Sequence, residues 1–487
     1  MTTPLDTIRS GRRSVLAAGA LAAATPIRRA SAGPKRPVRF AFFGTPSEQR
    51  AYRRVIDAFE AAYPDVAVEA VGLDSGDATL AAGARGIGAG LPWLQTGGPY
   101  QPWLWSALAS PTAPDVFILS YQRFPVFAAR GVLEPLGPYL AASSVLDPAA
   151  FYPATLDAFR SPDIPDDGLG ALPLNASSLA VYYNRDRFAE AGVPLPADDW
   201  SWGDFADAAS ALTRGRDRAG RADVYGLAIE PRLTRSAAFV WGAGGNLVDD
   251  DERPTRLTLD TPEALEGLQW FAELGPSGRQ VTPTAAEARQ FNDLARFVAG
   301  RAAMFVHTRR VVPILRETAG LDWDVAPLPV GKGPANVLHS DGVCMLAGAR
   351  DKEAAWAFVE FVIGPTGQAI LAQTGRTVPS LRAVAESDDF LKGTSIPFSI
   401  GGERVGLAPA RAGVFVENVK IARKVPMVAT LPAVEGAFDH AFKHAFYVDA
   451  DARAAAASIA RELSGILGSR LTVPRFMFRE PTTEPEE

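Results

Sequence analysis

The chain of 487 residues has one cysteine, Cys344. No internal disulfide can form, and the apolar run Gly342 to Leu346 around it marks an inert buried thiol. Basic charge is also scarce: 49 Lys and Arg stand against 55 Asp and Glu, a net charge of −6. With no basic cluster, nucleic acid is excluded as a partner. Beyond the N-terminal region no stretch approaches the roughly 20 apolar residues that a bilayer span needs. Catalytic signatures are missing as well. There is no GxSxG elbow, no HExxH and no Cys–His pairing pattern. The glycines between Gly83 and Gly98 lack the GxxxxGK of a phosphate loop.

The ends of the chain are informative. Arg12-Arg13 precede a weakly apolar run, Val15 to Thr25, too short to span a membrane, and Ala30-Ser31-Ala32 reads as a cleavage site. The arginine pair resembles a twin-arginine leader, which exports folded proteins. Val15 replaces the aromatic usual in such leaders, so a Sec leader stays the alternative. No cysteine near the cleavage site would carry a lipid, which points to a free periplasmic protein. Removing residues 1–32, with five arginines and one aspartate, takes the net charge from −6 to −10. The tail, 476–487, is acidic and Pro-containing and is expected to be disordered.

Between these ends the grammar is α/β. Val38 to Phe43 reads as a strand ended by Gly44. Thr45-Pro46-Ser47-Glu48 then opens a helix as a capping box. Tyr52, Val55, Ile56, Phe59 and Tyr63 share one helix face, and Val66 to Val71 is the next strand. Pro114 to Leu119 is another buried strand. Residues 172–202 form a strand-helix-helix unit with a turn at Asn184, a stop at Gly192 and a second capping box at Ser201 and Asp204. Further α/β units follow at 261–274, 300–306, 322–329, 335–347 and 355–364. The segment 72–112, rich in Gly and with Trp93, Trp103 and Trp105, reads as a surface loop and helix, or as an aromatic lip over a cleft.

The ordered string of small apolar strand, Tyr182-Tyr183-Asn184, Arg-Phe helix, Gly, Pro and Trp resembles the family 1 extracellular solute-binding proteins, the maltose-binding-protein-like receptors of ABC importers. PDVFIL at 114–119, GALPLNASSLAVYYN at 170–184, FVWGAGGN at 239–246, GRAAMFV at 300–306, DWDVAPLPVGKG at 322–333 and DGVCMLAGARDKEAAWAFVEFV at 341–362 occur in the family's order. The resemblance implies an α/β, two-lobe periplasmic binding protein (type II) fold with a three-crossing hinge. One lobe would hold 37–174 and 342–392, the other 178–338 and 396–475. It implies a carbohydrate ligand, docking on ABC permease subunits, a monomer, and no cofactor, because other subunits hydrolyse ATP. A secreted carbohydrate-active enzyme is the alternative, since paired carboxylates can assemble from distant positions.

A sugar needs planar hydrogen-bonding groups and aromatic faces at a cleft. Strand ends and lobe crossings supply the candidates. Thr45 and Glu48 sit at the first crevice, as ligand groups or as caps only. Ser120, Tyr121 and Arg123 follow a buried strand. Asn175 and Ser177 lie at the first crossing, and His339, Ser340 and Asp341 at the second. Arg232 and Arg235 precede the helix of Trp241, itself core or platform. Arg309 and Arg310 follow the Met304 strand. The family often has a carboxylate where Ser177 stands and an aromatic where Arg309 and Arg310 stand. Those departures favour a ligand unlike plain maltodextrin, and four arginines suit an acidic sugar. His440 and His444 have metal-compatible spacing but no following Glu, so no metal is expected.

Overall fold

The computed structural model describes residues 34–74, 100–218, 220–392, 399–400, 403–404, 409–426 and 430–467. The leader, the acidic tail and most of the Gly-rich segment lie outside the described residues.

The chain begins with β1 (Arg36–Gly44), β2 (Val66–Asp74), β3 (Val116–Ser120) and β4 (Ala171–Pro173). It crosses through β5 (Asn175–Ala176) into β6 (Leu179–Asn184), β7 (Tyr225–Ala228), β8 (Ala302–Thr308) and β9 (Trp323–Ala326). It returns through β10 (Asn336–Val337) to β11 (Asp341–Met345), and β12 (Val378–Pro379) follows.

Two sheets result. The first has the order β2-β1-β3-β11-β4, the second β7-β8-β6-β9. β1 pairs in parallel with β2 and β3, and its apolar run is buried, as a strand covered on both faces requires. β11 inserts antiparallel between β3 and β4, with Val343 opposite both Ile118 and Leu172. A strand made after the second sheet is thereby stitched into the first, and each layer is built from discontinuous chain. In the second sheet Val181 pairs with Val306 on one side and Ala326 on the other.

Local signals explain the elements. Helix Pro46–Ala62 starts in a capping box: Glu48 N donates to Thr45 Oγ1 at 3.4 Å and Thr45 N to Glu48 Oε2 at 2.8 Å. Helix Arg185–Ala191 ends at Gly192 with φ 63°, a left-handed cap that glycine adopts without a Cβ penalty. Trp202 stacks on Trp270 at 4.6 Å and Trp200 Nε1 donates to Pro327 O, so both indoles are scaffold of the second layer.

Helix Lys352–Ile363 returns to the first sheet, where Phe358 meets Phe40 and Phe59, each at 5.0 Å. Helices Gly413–Lys420 and Leu431–His444 pack on the second, with Phe415 against Tyr182 and Phe442 against Phe271. Cys344 is fully buried in β11. Of the aromatic segment, Trp105 stacks on Phe127 at 3.9 Å, and the Arg130 guanidinium lies 4.1 Å from its ring. Its described part is therefore packed onto the first layer and not raised as a lip. Among the described residues no single helix is long and apolar enough to cross a membrane.

Buried amides hold the crossings. The Asn336 side chain accepts from Leu179 N and donates to Leu179 O, both at 2.8 Å. Gln368 donates to Leu174 O at 2.7 Å and accepts from Ser380 N at 2.9 Å. Each amide supplies the donor and acceptor that the backbone loses where it leaves a sheet.

Candidate functional site

Between the two sheets lies a cleft of about 1060 Å³, its open mouth included. The first sheet contributes Phe43 from the end of β1 and Ser120, Tyr121 and Gln122 from the end of β3. The first crossing contributes Asn175 and Ser177, and the second His339, Ser340 and Asp341. From the second sheet come His307, Thr308 and Arg310 at the end of β8, and Glu230, Arg232, Thr234 and Arg235 around the start of helix Leu233–Gly242. Asp293 and Thr377 complete the wall. Most of the lining residues are of polar type, and a tryptophan platform is absent among the described lining residues.

The crossings are tied together at the floor. Asn175 Nδ2 donates to Asp341 Oδ2 at 3.1 Å, and Asp341 N donates to Asn175 Oδ1 at 3.1 Å. Arg310 Nη2 lies 3.0 Å from the same Asp341 oxygen. Ser177 and His339 exchange backbone hydrogen bonds of 2.7 Å in both directions. Burial holds the His339 imidazole well below its ordinary pKa, helped by Arg235, Arg310 and His307, so it is neutral. Among the described residues its Nε2 has no hydrogen-bond partner, nor have Ser120 Oγ and Ser177 Oγ. Buried polar atoms without partners are costly, and here all three belong to residues that line one cleft.

The charged wall is built around the helix start. Asp439, from helix Leu431–His444, accepts from Leu233 N at 2.9 Å and caps the turn that Arg232 leaves open. Arg232 Nε lies 2.5 Å from Glu230 Oε2. Burial opposes the Arg232 charge most, but Glu230, Asp439 and Asp293 together outweigh it and the pKa is raised. Arg235 is 9% exposed, and burial lowers its pKa. Burial, then Glu230, pushes Asp293 up to about 7. Gln122 Nε2 donates to Glu435 Oε1 at 2.8 Å, and burial raises that carboxyl to about 7.

A profile of bacterial extracellular solute-binding proteins matches residues 45–369. The chain belongs to that family. Among its relatives, a binding protein of Brucella abortus is 26% identical over 59% of this chain and 68% of its own. The maltotriose-binding protein of Pyrococcus abyssi is 26% identical over 71% of this chain and 69% of its own. An ABC substrate-binding protein of Listeria monocytogenes, solved in complex with cycloalternan, superposes with a TM-score of 0.72 at 21% identity, covering 90% of this chain and 100% of that one. The fold is the two-lobe α/β architecture of such proteins.

Several residues expected at the cleft of this solute-binding protein stand elsewhere. Thr45 and Glu48 do not line it: Glu48 completes the capping box and lies 2.7 Å from Arg376 Nε. Arg123 begins helix Phe124–Ala128 outside the lining. Trp241 lies under the Arg423 guanidinium at 4.8 Å, outside the lining and not a platform in it. Arg309 is fully buried between Phe390 and Phe415, at 4.4 and 4.9 Å, while its neighbour Arg310 turns to the cleft. Both follow the end of β8 in the 3₁₀ turn Arg309–Val311, where three residues per turn set successive side chains about 120° apart.

The expectation also missed lining residues of this solute-binding protein. Phe43 and Gln122 were legible, being strand-end neighbours of residues that were picked. Thr308 and His307 end the strand before Arg309. Glu230 shows itself only as the partner of Arg232. Asp293 and Thr377 have no local signal, since tertiary packing alone brings them in.

Proposed function

We propose that the chain is the substrate-binding protein of an ABC importer that captures a sugar or oligosaccharide between its lobes and delivers it to the membrane permease. What supports this most is the set of unpartnered polar atoms at one cleft, Ser120 Oγ, Ser177 Oγ and His339 Nε2, drawn from the first sheet and both crossings. Sugar hydroxyls donate and accept at once, so they satisfy hydroxyls and a neutral imidazole together. A ligand that touches both walls favours the closed form, which is hinge closure by differential binding. Maltotriose binding by the Pyrococcus abyssi relative is consistent with a carbohydrate.

In this reading the lobes are 37–174 with 342–392 and 178–338 with 396–475. The return of β11 to the first sheet fits that division. The chain acts as a periplasmic monomer exported by its twin-arginine leader, and it binds without turning ligand over. The test is a thermal-shift panel of sugars, uronates, polyols and peptides on the mature protein. At a hundredfold excess over Kd the true ligand stabilises by about 2.7 kcal/mol. A panel in which no carbohydrate shifts the midpoint contradicts the sugar assignment. Turnover of an oligosaccharide contradicts the receptor assignment.

A further inference from the structure

We infer that the ligand is an acidic sugar, and that Arg235 receives its carboxylate. The inference rests on the receptor reading and sharpens it to a substrate class.

Three guanidiniums line the cleft, and two are committed. Arg232 faces Glu230 at 2.5 Å and Arg310 faces Asp341 at 3.0 Å. Arg235 forms no ion pair and no side-chain hydrogen bond among the described residues. It is nine-tenths buried, and it belongs to the cleft wall. A guanidinium held this way carries five donors and a charge that water no longer compensates well.

Glu230, Asp293 and Asp439 act on Arg235 through space, but none of them pairs with it. Glu230 is paired with Arg232, Asp439 accepts from Leu233 N, and Asp293 is pushed up to about 7, so near neutral pH it is only partly ionised. Arg235 is also the strongest of the charges acting on His339, and both residues line the cleft. Neutral His339 brings a hydrogen-bonding group there without a second positive charge. One cation without an ion-pair partner of its own among the described residues calls for one negative charge, which a carboxylate supplies and a dianionic phosphate ester exceeds. Planar carboxylate also matches the Arg235 fork in two parallel hydrogen bonds. The pyranose hydroxyls then face Ser120 Oγ and Ser177 Oγ.

The experiment is calorimetric titration of the mature protein with D-glucuronate, D-galacturonate and digalacturonate. Their neutral parents, maltose, and glucose 6-phosphate run as separate arms. At least one uronate should bind at least about tenfold more tightly than its neutral parent. Arg235→Gln should cost about thirtyfold in uronate affinity and erase that preference, with Arg235→Lys recovering part of it. If Arg235→Gln does not fold, wild-type salt dependence decides: added salt should weaken uronate binding and leave neutral-sugar binding unchanged. Equal binding of neutral sugars, or a preference that survives Arg235→Gln, overturns the inference and leaves the receptor reading intact. Preference for glucose 6-phosphate over every uronate overturns the carboxylate assignment. No binding by any of these sugars contradicts the receptor reading itself.

Discussion

Asn175, on the first crossing, grips Asp341, on the second, through two hydrogen bonds of 3.1 Å, one to the side chain and one to the backbone. The same carboxylate faces Arg310 at 3.0 Å. The floor of the cleft is therefore a joint between two chain passages, and it presets the Arg310 guanidinium. Asn175→Ala leaves Asp341 N buried without that acceptor and should cost about 1–3 kcal/mol of stability. Urea denaturation of the ligand-free protein measures it. A midpoint equal to wild type would mean that the joint is dispensable.

Arg309 is the reverse case. It is fully buried between Phe390 and Phe415, and among the described residues none of its guanidinium nitrogens has a hydrogen-bond partner. Burial, then the like charge of Arg316, pushes its pKa down to about 9. The ring contacts offset part of that cost. Arg309→Met keeps the length and removes the charge, so thermal stability should be unchanged or higher by about 1 kcal/mol. A loss above about 2 kcal/mol, read by calorimetry, would contradict this.

Glu435 should make stability depend on pH. Its carboxyl titrates near 7 in the fold, from an ordinary value of 4.5, chiefly because it is buried. A raised carboxyl favours the protonated fold, so its contribution is full below pH 4.5 and is lost as pH rises through 7. Glu435→Gln keeps an acceptor for Gln122 and removes the titration. The midpoint difference between pH 5 and pH 8 should shrink in that variant. An unchanged difference would show that Glu435 does not titrate in this range.

Trp241 was expected to be core or a stacking platform, and it lies under Arg423 outside the lining. Its Nε1 has no hydrogen-bond partner among the described residues, so Trp241→Phe forfeits no polar contact there. Ligand affinity should stay within about twofold, while stability falls by up to about 1 kcal/mol through the weaker cation–ring contact. A tenfold loss of affinity would return Trp241 to the site.

What the sequence made legible was local. Both capping boxes, the Gly192 stop and the strand carrying Ile118 announce themselves within a few residues. The strand-end and crossing positions Ser120, Tyr121, Asn175, Ser177, Arg232, Arg235, Arg310, His339 and Asp341 meet at one cleft, because open α/β sheets gather their strand ends there. Pairings between distant polar groups were not legible. Nothing near Asn336 says that its amide serves Leu179, and nothing near Asp293 says that it sits beside Glu230. Glu48 shows the limit from the other side. Its capping role was readable, but its ion pair with Arg376 depends on the bend before β12, far along the chain.

The most direct test of the account is a crystal structure of the mature protein with its tightest-binding sugar. The account predicts ligand density between the two sheets, in contact with Ser120 or Asn175 on one side and with Arg235 or His307 on the other. Density outside this cleft, or contacts confined to one sheet, would contradict it.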